Sequence, residues 1–220
     1  MDAEQPGTTN DEPNLEHRTP NPERQAAHEL TMTQDEVLDL FRHSGALMDG
    51  HFRLSSGLHS DRYLQSALVL QYPELAERLG AALADRTRHL QPTAVLSPAL
   101  GGIVIGQEVG RALGIRALFA ERQDGTLVLR RGFSLSPTDR VLVVEDVITT
   151  GGSTRETIAV AIAAGAHVPG AAAIIDRGGE ASRLDVPLQT LVRLEVPAYP
   201  PEACPMCAEG LAIVKPGSRA

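Results

Sequence analysis

One stretch limits what this chain can become: VLVVEDVITTGGSTRE, Val141 to Glu156. It opens with Val141–Val144, a continuous apolar run too short for a helix and rich in β-branched residues, as expected of a strand buried on both faces. Glu145 and Asp146 follow where that strand is expected to end, and Thr149, Thr150, Gly151 and Gly152 then form a turn. Ser153-Thr-Arg-Glu156 has the spacing of a capping box that opens a helix. The glycines let backbone N–H groups approach an anion, the hydroxyls add donors, and the helix N-terminus adds a favourable dipole. Such a loop suits a phosphate. Two carboxylates beside it make sense if the phosphate sits on a sugar whose hydroxyls need acceptors, with a divalent cation nearby to offset charge. The same pattern also serves as a plain strand–turn–helix junction in α/β proteins. No Gly-Lys-Ser/Thr follows, so it is not a Walker loop, and the acids precede the glycines, so it is not a dinucleotide fingerprint.

The rest of the chain frames that stretch. Its 220 residues suffice for one domain with extensions or two small ones. Aromatics are only 3% of the residues, so Leu, Val, Ile and Ala must build the interior. The net charge of −8 argues against sequence-independent binding to nucleic acid or to an anionic membrane. With no secretory signal, no membrane-length apolar run and two cysteines that make no disulfide framework, a cytoplasmic protein is expected.

Residues 1–30 are rich in Pro, Asn, Glu, Thr and Gln and read as a disordered tail. Residues 31–72 read as a helix capped by Thr33 and Glu36, ending near Gly45, and a hairpin or hood from Gly50 to Gln65. Residues 73–200 read as the core. Pro73 opens a helix with Leu75, Leu79 and Leu83 on one face, and strands are expected at 93–97, 115–121, 141–144, 168–175 and 191–196, with helices between. Arg122 to Asp139 reads as a mobile β-ribbon rather than core. Residues 201–220 carry Cys204-Pro-Met-Cys207. The alternation predicts an α/β fold, a mostly parallel sheet flanked by helices with a small N-terminal hood, whose ligands bind at the carboxyl ends of the strands.

Three further patterns fall at that edge. The turn in SPALGGIVIG, with Leu100 and Gly101, is either a tight strand-to-helix junction or a second phosphate cradle. Arg177, after Asp176 at a strand end, offers a fork of donors to a planar carboxylate, although many such arginines are plain surface residues. FRLSSGLHSDRYLQ contains Ser55, Ser56, Gly57, His59 and Tyr63, and His59 taken alone reads as part of a surface hairpin. The CxxC supplies half a zinc site whose other half must come from histidines or a second subunit; unliganded thiols and redox use are the alternatives.

VLVVEDVITTGGST resembles the phosphoribosyl-pyrophosphate (PRPP) signature of the type I phosphoribosyltransferases. FRLSSGLHSDRYLQ and Asp176-Arg177 are similar, more narrowly, to segments of the orotate phosphoribosyltransferases. That resemblance runs from about Phe52 to Arg177. It implies transfer of phosphoribosyl from PRPP to orotate, giving orotidine 5′-monophosphate and pyrophosphate, a step of de novo pyrimidine biosynthesis. It implies catalytic roles for Asp146, Glu145 and Arg122. PRPP contacts would fall on Glu145 to Ser153 (including Val147, Ile148, Thr149, Thr150, Gly151 and Gly152) and on Leu100, Gly101 and Gln123. Orotate contacts would fall on Thr149, Arg177, Ser56 and Tyr63. It further implies Mg²⁺ held mainly through PRPP rather than by protein side chains, and a homodimer. Gln123 stands where the family carries a Lys, and the loop has no His. A phosphoribosyltransferase for another base and a PRPP-binding regulator without catalysis are the rival readings.

Overall fold

The computed structural model describes residues 32–54 and 56–216. The predicted tail and Ser55 lie outside the described residues. Thr33 opens α1 (Gln34–His43) through the expected capping box: its hydroxyl accepts from the Glu36 N–H at 3.3 Å, and the Glu36 carboxylate accepts from the Thr33 N–H at 2.8 Å. Val37 and Phe41, one turn apart, are fully buried. The hood follows as an antiparallel hairpin, β1 (Leu47–Arg53) and β2 (His59–Leu64). A short α2 (Ala67–Leu70) leads to α3 (Pro73–Thr87), which starts on its proline and buries Leu79 and Leu83.

A six-stranded sheet carries the rest. Its strands are β3 (Ala94–Pro98), β4 (Arg116–Gln123), β5 (Thr126–Leu129), β6 (Arg140–Ile148), β7 (His167–Asp176) and β8 (Leu188–Arg193), in the order β5-β4-β3-β6-β7-β8. Only the β4–β5 pair is antiparallel. β6 explains why its sequence is continuously apolar. Val141 and Val143 join one hydrophobic cluster and Leu142 and Val144 join the other, so both faces of the strand are covered. Helices α3 and α4 (Gly101–Leu113) pack on the Leu142 and Val144 face, and Ile158 and Ala161 of α5 (Gly152–Ala163) lie in the cluster on the Val141 and Val143 face.

From β3 the chain moves outward to β4, then returns to place β6 on the other side of β3. The strand order therefore reverses between β3 and β6. In open α/β sheets this switch point is where a ligand crevice forms.

Four expectations need correction. β6 continues through Glu145 and Asp146 to Ile148 instead of ending before them. The Ser153–Glu156 capping box does not form: Gly151, at φ 72°, is the N-cap and no side chain caps the helix, because Ser153 already lies inside the first turn. The Arg122 segment is not separate from the core, since β5 extends the sheet and Leu127 is buried. The last strand runs over Leu188–Arg193, three residues early. Pairing from Ala171–Leu188 to Asp176–Arg193 fixes its register, and an edge strand accommodates the half-buried Gln189 and Thr190 that interrupt its apolar pattern. Among the described residues no helix is long and apolar enough to cross a membrane.

Candidate active site

The switch point gathers most of the residues singled out from sequence. Asp146 is held from the hood side, where the Ser66 hydroxyl donates to its Oδ2 at 2.6 Å. On the other side its carboxylate lies over the start of α4: a Cβ built on Gly101 would stand 2.8 Å from Asp146 Oδ1. The β3–α4 turn and the acidic pair are therefore immediate neighbours. The Ala99–Leu100 peptide of that turn is cis, and the Leu100 side chain is exposed. Val147 and Ile148 pack into the core, which leaves only their main chain to meet a ligand.

Glu145 differs from its neighbour. It is buried, and desolvation raises its pKa to about 8, with the Asp146 charge and a hydrogen bond to Asp146 adding to the effect and a hydrogen bond with Thr154 opposing it. At neutral pH the acidic pair therefore retains a proton.

The turn between β6 and α5 is braced from outside. Arg155 donates through Nη2 to the Thr150 carbonyl and through Nη1 to the Arg183 carbonyl at 3.0 Å. Thr149 packs against Gly178, where a Cβ would stand 1.7 Å from the Thr149 carbonyl oxygen, so no other residue fits without moving backbone. Asp176 accepts from the Gly178 N–H at 3.0 Å, and the Arg177 N–H donates to the Ile148 carbonyl at 2.9 Å. Arg177 is thus fixed beside the turn. Burial lowers its pKa from the ordinary arginine range, with Tyr63 opposing the shift. Among the described residues its guanidinium has no carboxylate partner. Tyr63 in turn lies against Phe52, with ring centroids 5.7 Å apart. A depression of about 800 Å³ lined by Asp176, Arg177, Arg183 and Arg193 adjoins this place without including either acid.

Other candidates lie apart from that centre. Arg122 makes a two-pronged ion pair with Glu156 on α5, at 2.9 and 3.3 Å, and Gln123 is exposed at the end of β4. Arg131 is tied to Glu121 by two contacts of 2.7 Å. Ser56 is exposed in the hood turn. His59 is not a surface residue: it is 7% exposed, because the C-terminal segment covers the hairpin. Sequence reading missed Ser66, Arg155 and Gly178. Ser66 stands 80 residues from the acid it holds, so no local pattern could reveal it. Arg155 lies inside the central motif, where its spacing suggested capping instead.

Two glycine-containing strand-to-helix turns meet an acidic pair at the switch point, the arrangement expected of the type I phosphoribosyltransferase class. No family model matches the chain. The orotate phosphoribosyltransferase of Chlorobaculum parvum is 52% identical over 188 residues, which is 86% of this chain and 97% of the relative. Among solved structures, orotate phosphoribosyltransferase from Aeropyrum pernix aligns with a TM-score of 0.62 at 25% identity, covering 72% of this chain and 94% of that one. The Mycobacterium tuberculosis H37Rv orotate phosphoribosyltransferase in complex with PRPP aligns at 0.58 and 20%, covering 77% and 94%, a likeness of fold. The chain belongs to the orotate phosphoribosyltransferase family.

Proposed function

We propose that this protein transfers phosphoribosyl from PRPP to orotate, giving orotidine 5′-monophosphate and pyrophosphate in de novo pyrimidine biosynthesis, and that it does so in the cytoplasm. In this reading the Thr149–Ser153 turn takes the 5′-phosphate on backbone N–H groups and hydroxyls, and the Leu100–Gly101 turn takes pyrophosphate. Asp146 accepts hydrogen bonds from the ribose hydroxyls and favours the positive charge that develops on the ribosyl ring as pyrophosphate departs. Glu145 holds a proton while the site is free of cations, consistent with its pKa near 8. Such a pair is a poor direct metal site, so we assign Mg²⁺ to the oxygens of PRPP, where it offsets charge on the leaving group. Arg122 and Gln123 are assigned to the leaving-group side, which requires Arg122 to exchange Glu156 for pyrophosphate oxygens.

The observation that carries orotate as the base is Arg177, a desolvated cation beside the turn that has no carboxylate partner among the described residues. A guanidinium so placed favours a base that brings its own carboxylate, and Thr149, Ser56 and Tyr63 are assigned to the same base. Losing a charged hydrogen bond typically costs about 1.5–3 kcal/mol, so uracil should be used roughly ten- to a hundredfold less well than orotate. The test follows the absorbance of orotate, uracil and adenine separately with PRPP and Mg²⁺. Orotate consumption with matching pyrophosphate release is expected. Consumption of another base in preference, or of none, overturns the reading.

We further propose a homodimer. Leu100 and Val104, one turn apart at the start of α4, are exposed apolar residues that a second copy could cover. Sedimentation at assay concentration should find a dimer; an active monomer refutes this.

A further inference from the structure

The two cysteines near the C-terminus are not alone. Backbone bonds fold the C-terminal segment onto the hood: Tyr199 exchanges N–H···O bonds of 2.8 Å with His59, and Val214 is bonded at 2.8 Å to the His51 carbonyl and the Arg53 N–H. Cys204 and Cys207 are thereby brought beside His51 and His59. His51 Nε2 lies 3.0 Å from His59 Nδ1, 3.6 Å from Cys204 Sγ and 3.7 Å from Cys207 Sγ, and Cys207 Sγ lies 3.2 Å from His59 Nδ1. All four ligand atoms fall within 4.8 Å of one another.

We propose that His51, His59, Cys204 and Cys207 bind a structural zinc ion that fastens the C-terminal segment to the hood. Zinc about 2.0–2.1 Å from nitrogen and about 2.3 Å from sulfur, in tetrahedral geometry, puts two nitrogens about 3.3 Å apart and a nitrogen and a sulfur about 3.6 Å apart. The four separations given above lie within a few tenths of these. The protonation of His51 fits as well. Its Nδ1–H donates to the Leu211 carbonyl at 2.9 Å, so in the neutral ring Nε2 presents a lone pair to the cluster. His51, His59 and Cys204 are each more than nine-tenths buried, and both thiols are free. Two thiolates and two imidazoles select zinc over hard, oxygen-loving cations, and four protein ligands leave no open position for catalysis. All four come from one chain, so no second subunit is needed to complete the set.

The test is metal analysis of the full chain purified without chelator or added metal. It should carry about one zinc per chain, falling to less than about a tenth in Cys207→Ser, where the substituted residue sits at the exposed edge of the cluster. Replacing zinc with cobalt in the wild-type protein should give the sulfur-to-cobalt charge-transfer band and the visible bands of a tetrahedral site, a readout that does not depend on any variant folding. Both thiols should resist a thiol reagent until a strong chelator is added. Metal-free protein that shows no cobalt spectrum on titration overturns the proposal. So does a Cys204–Cys207 disulfide in protein kept under reducing conditions, or a stoichiometric metal other than zinc.

Discussion

A carboxyl that keeps its proton near neutral pH sits next in sequence to one that reaches the candidate ligand space, and burial produces that difference. Glu145 should leave a trace in stability. Its carboxyl releases its proton near pH 4.5 when unfolded and near pH 8 when folded, so between those values unfolding releases a proton and stability falls as pH rises. Above about pH 8 the dependence flattens. Glu145→Gln removes the titration. The variant should match the wild type near pH 5 and exceed it progressively toward pH 8, by at most about 4 kcal/mol. Urea midpoints at the two pH values measure this, and a constant difference between the proteins would place the proton elsewhere.

At the scale of elements, the phosphate turn depends on neighbours that a motif cannot contain. Gly178 follows the end of β7 at φ −92°, an ordinary conformation, so its glycine is required by contact rather than by backbone shape. Gly178→Ala must push the Thr149 carbonyl away. Since a displacement of about 1 Å can cost a hundredfold, kcat/KM for PRPP should fall by roughly ten- to a hundredfold. Gly179→Ala is the control: it is strained at φ 54° but meets nothing within 4 Å, so it should lower stability and spare kcat/KM. Equal kinetic effects of the two changes would show that the Gly178 contact does not set the turn.

Across the whole molecule, what the sequence displayed was mostly local. The β6 run, the Thr33 cap and the Pro73 helix start are written in adjacent residues and appear in the structure as expected. The register of β8 is set by its pairing with β7, and the burial of β5 by the cluster that Leu127 shares with Ile158 and Ala161 of α5, and there the local pattern misled. The same holds for the site. The acids, the turn and Arg177 were legible, because strand ends in a parallel sheet share one edge. Ser66, Gly178 and the partners of the CxxC were not, because only tertiary packing brings them in; His51 and Cys204 are 153 residues apart in the chain.

In the proposed function one sheet edge holds PRPP at Asp146 and the base at Arg177. Calorimetric titration of PRPP with Mg²⁺ into Asp146→Asn and Arg177→Ala tests it most directly. Asp146→Asn should weaken PRPP binding about ten- to a hundredfold, the cost of one or more charge-assisted hydrogen bonds, while Arg177→Ala should bind PRPP almost as the wild type does. Equal weakening in both variants, or PRPP binding unchanged in Asp146→Asn, would contradict that division of the site.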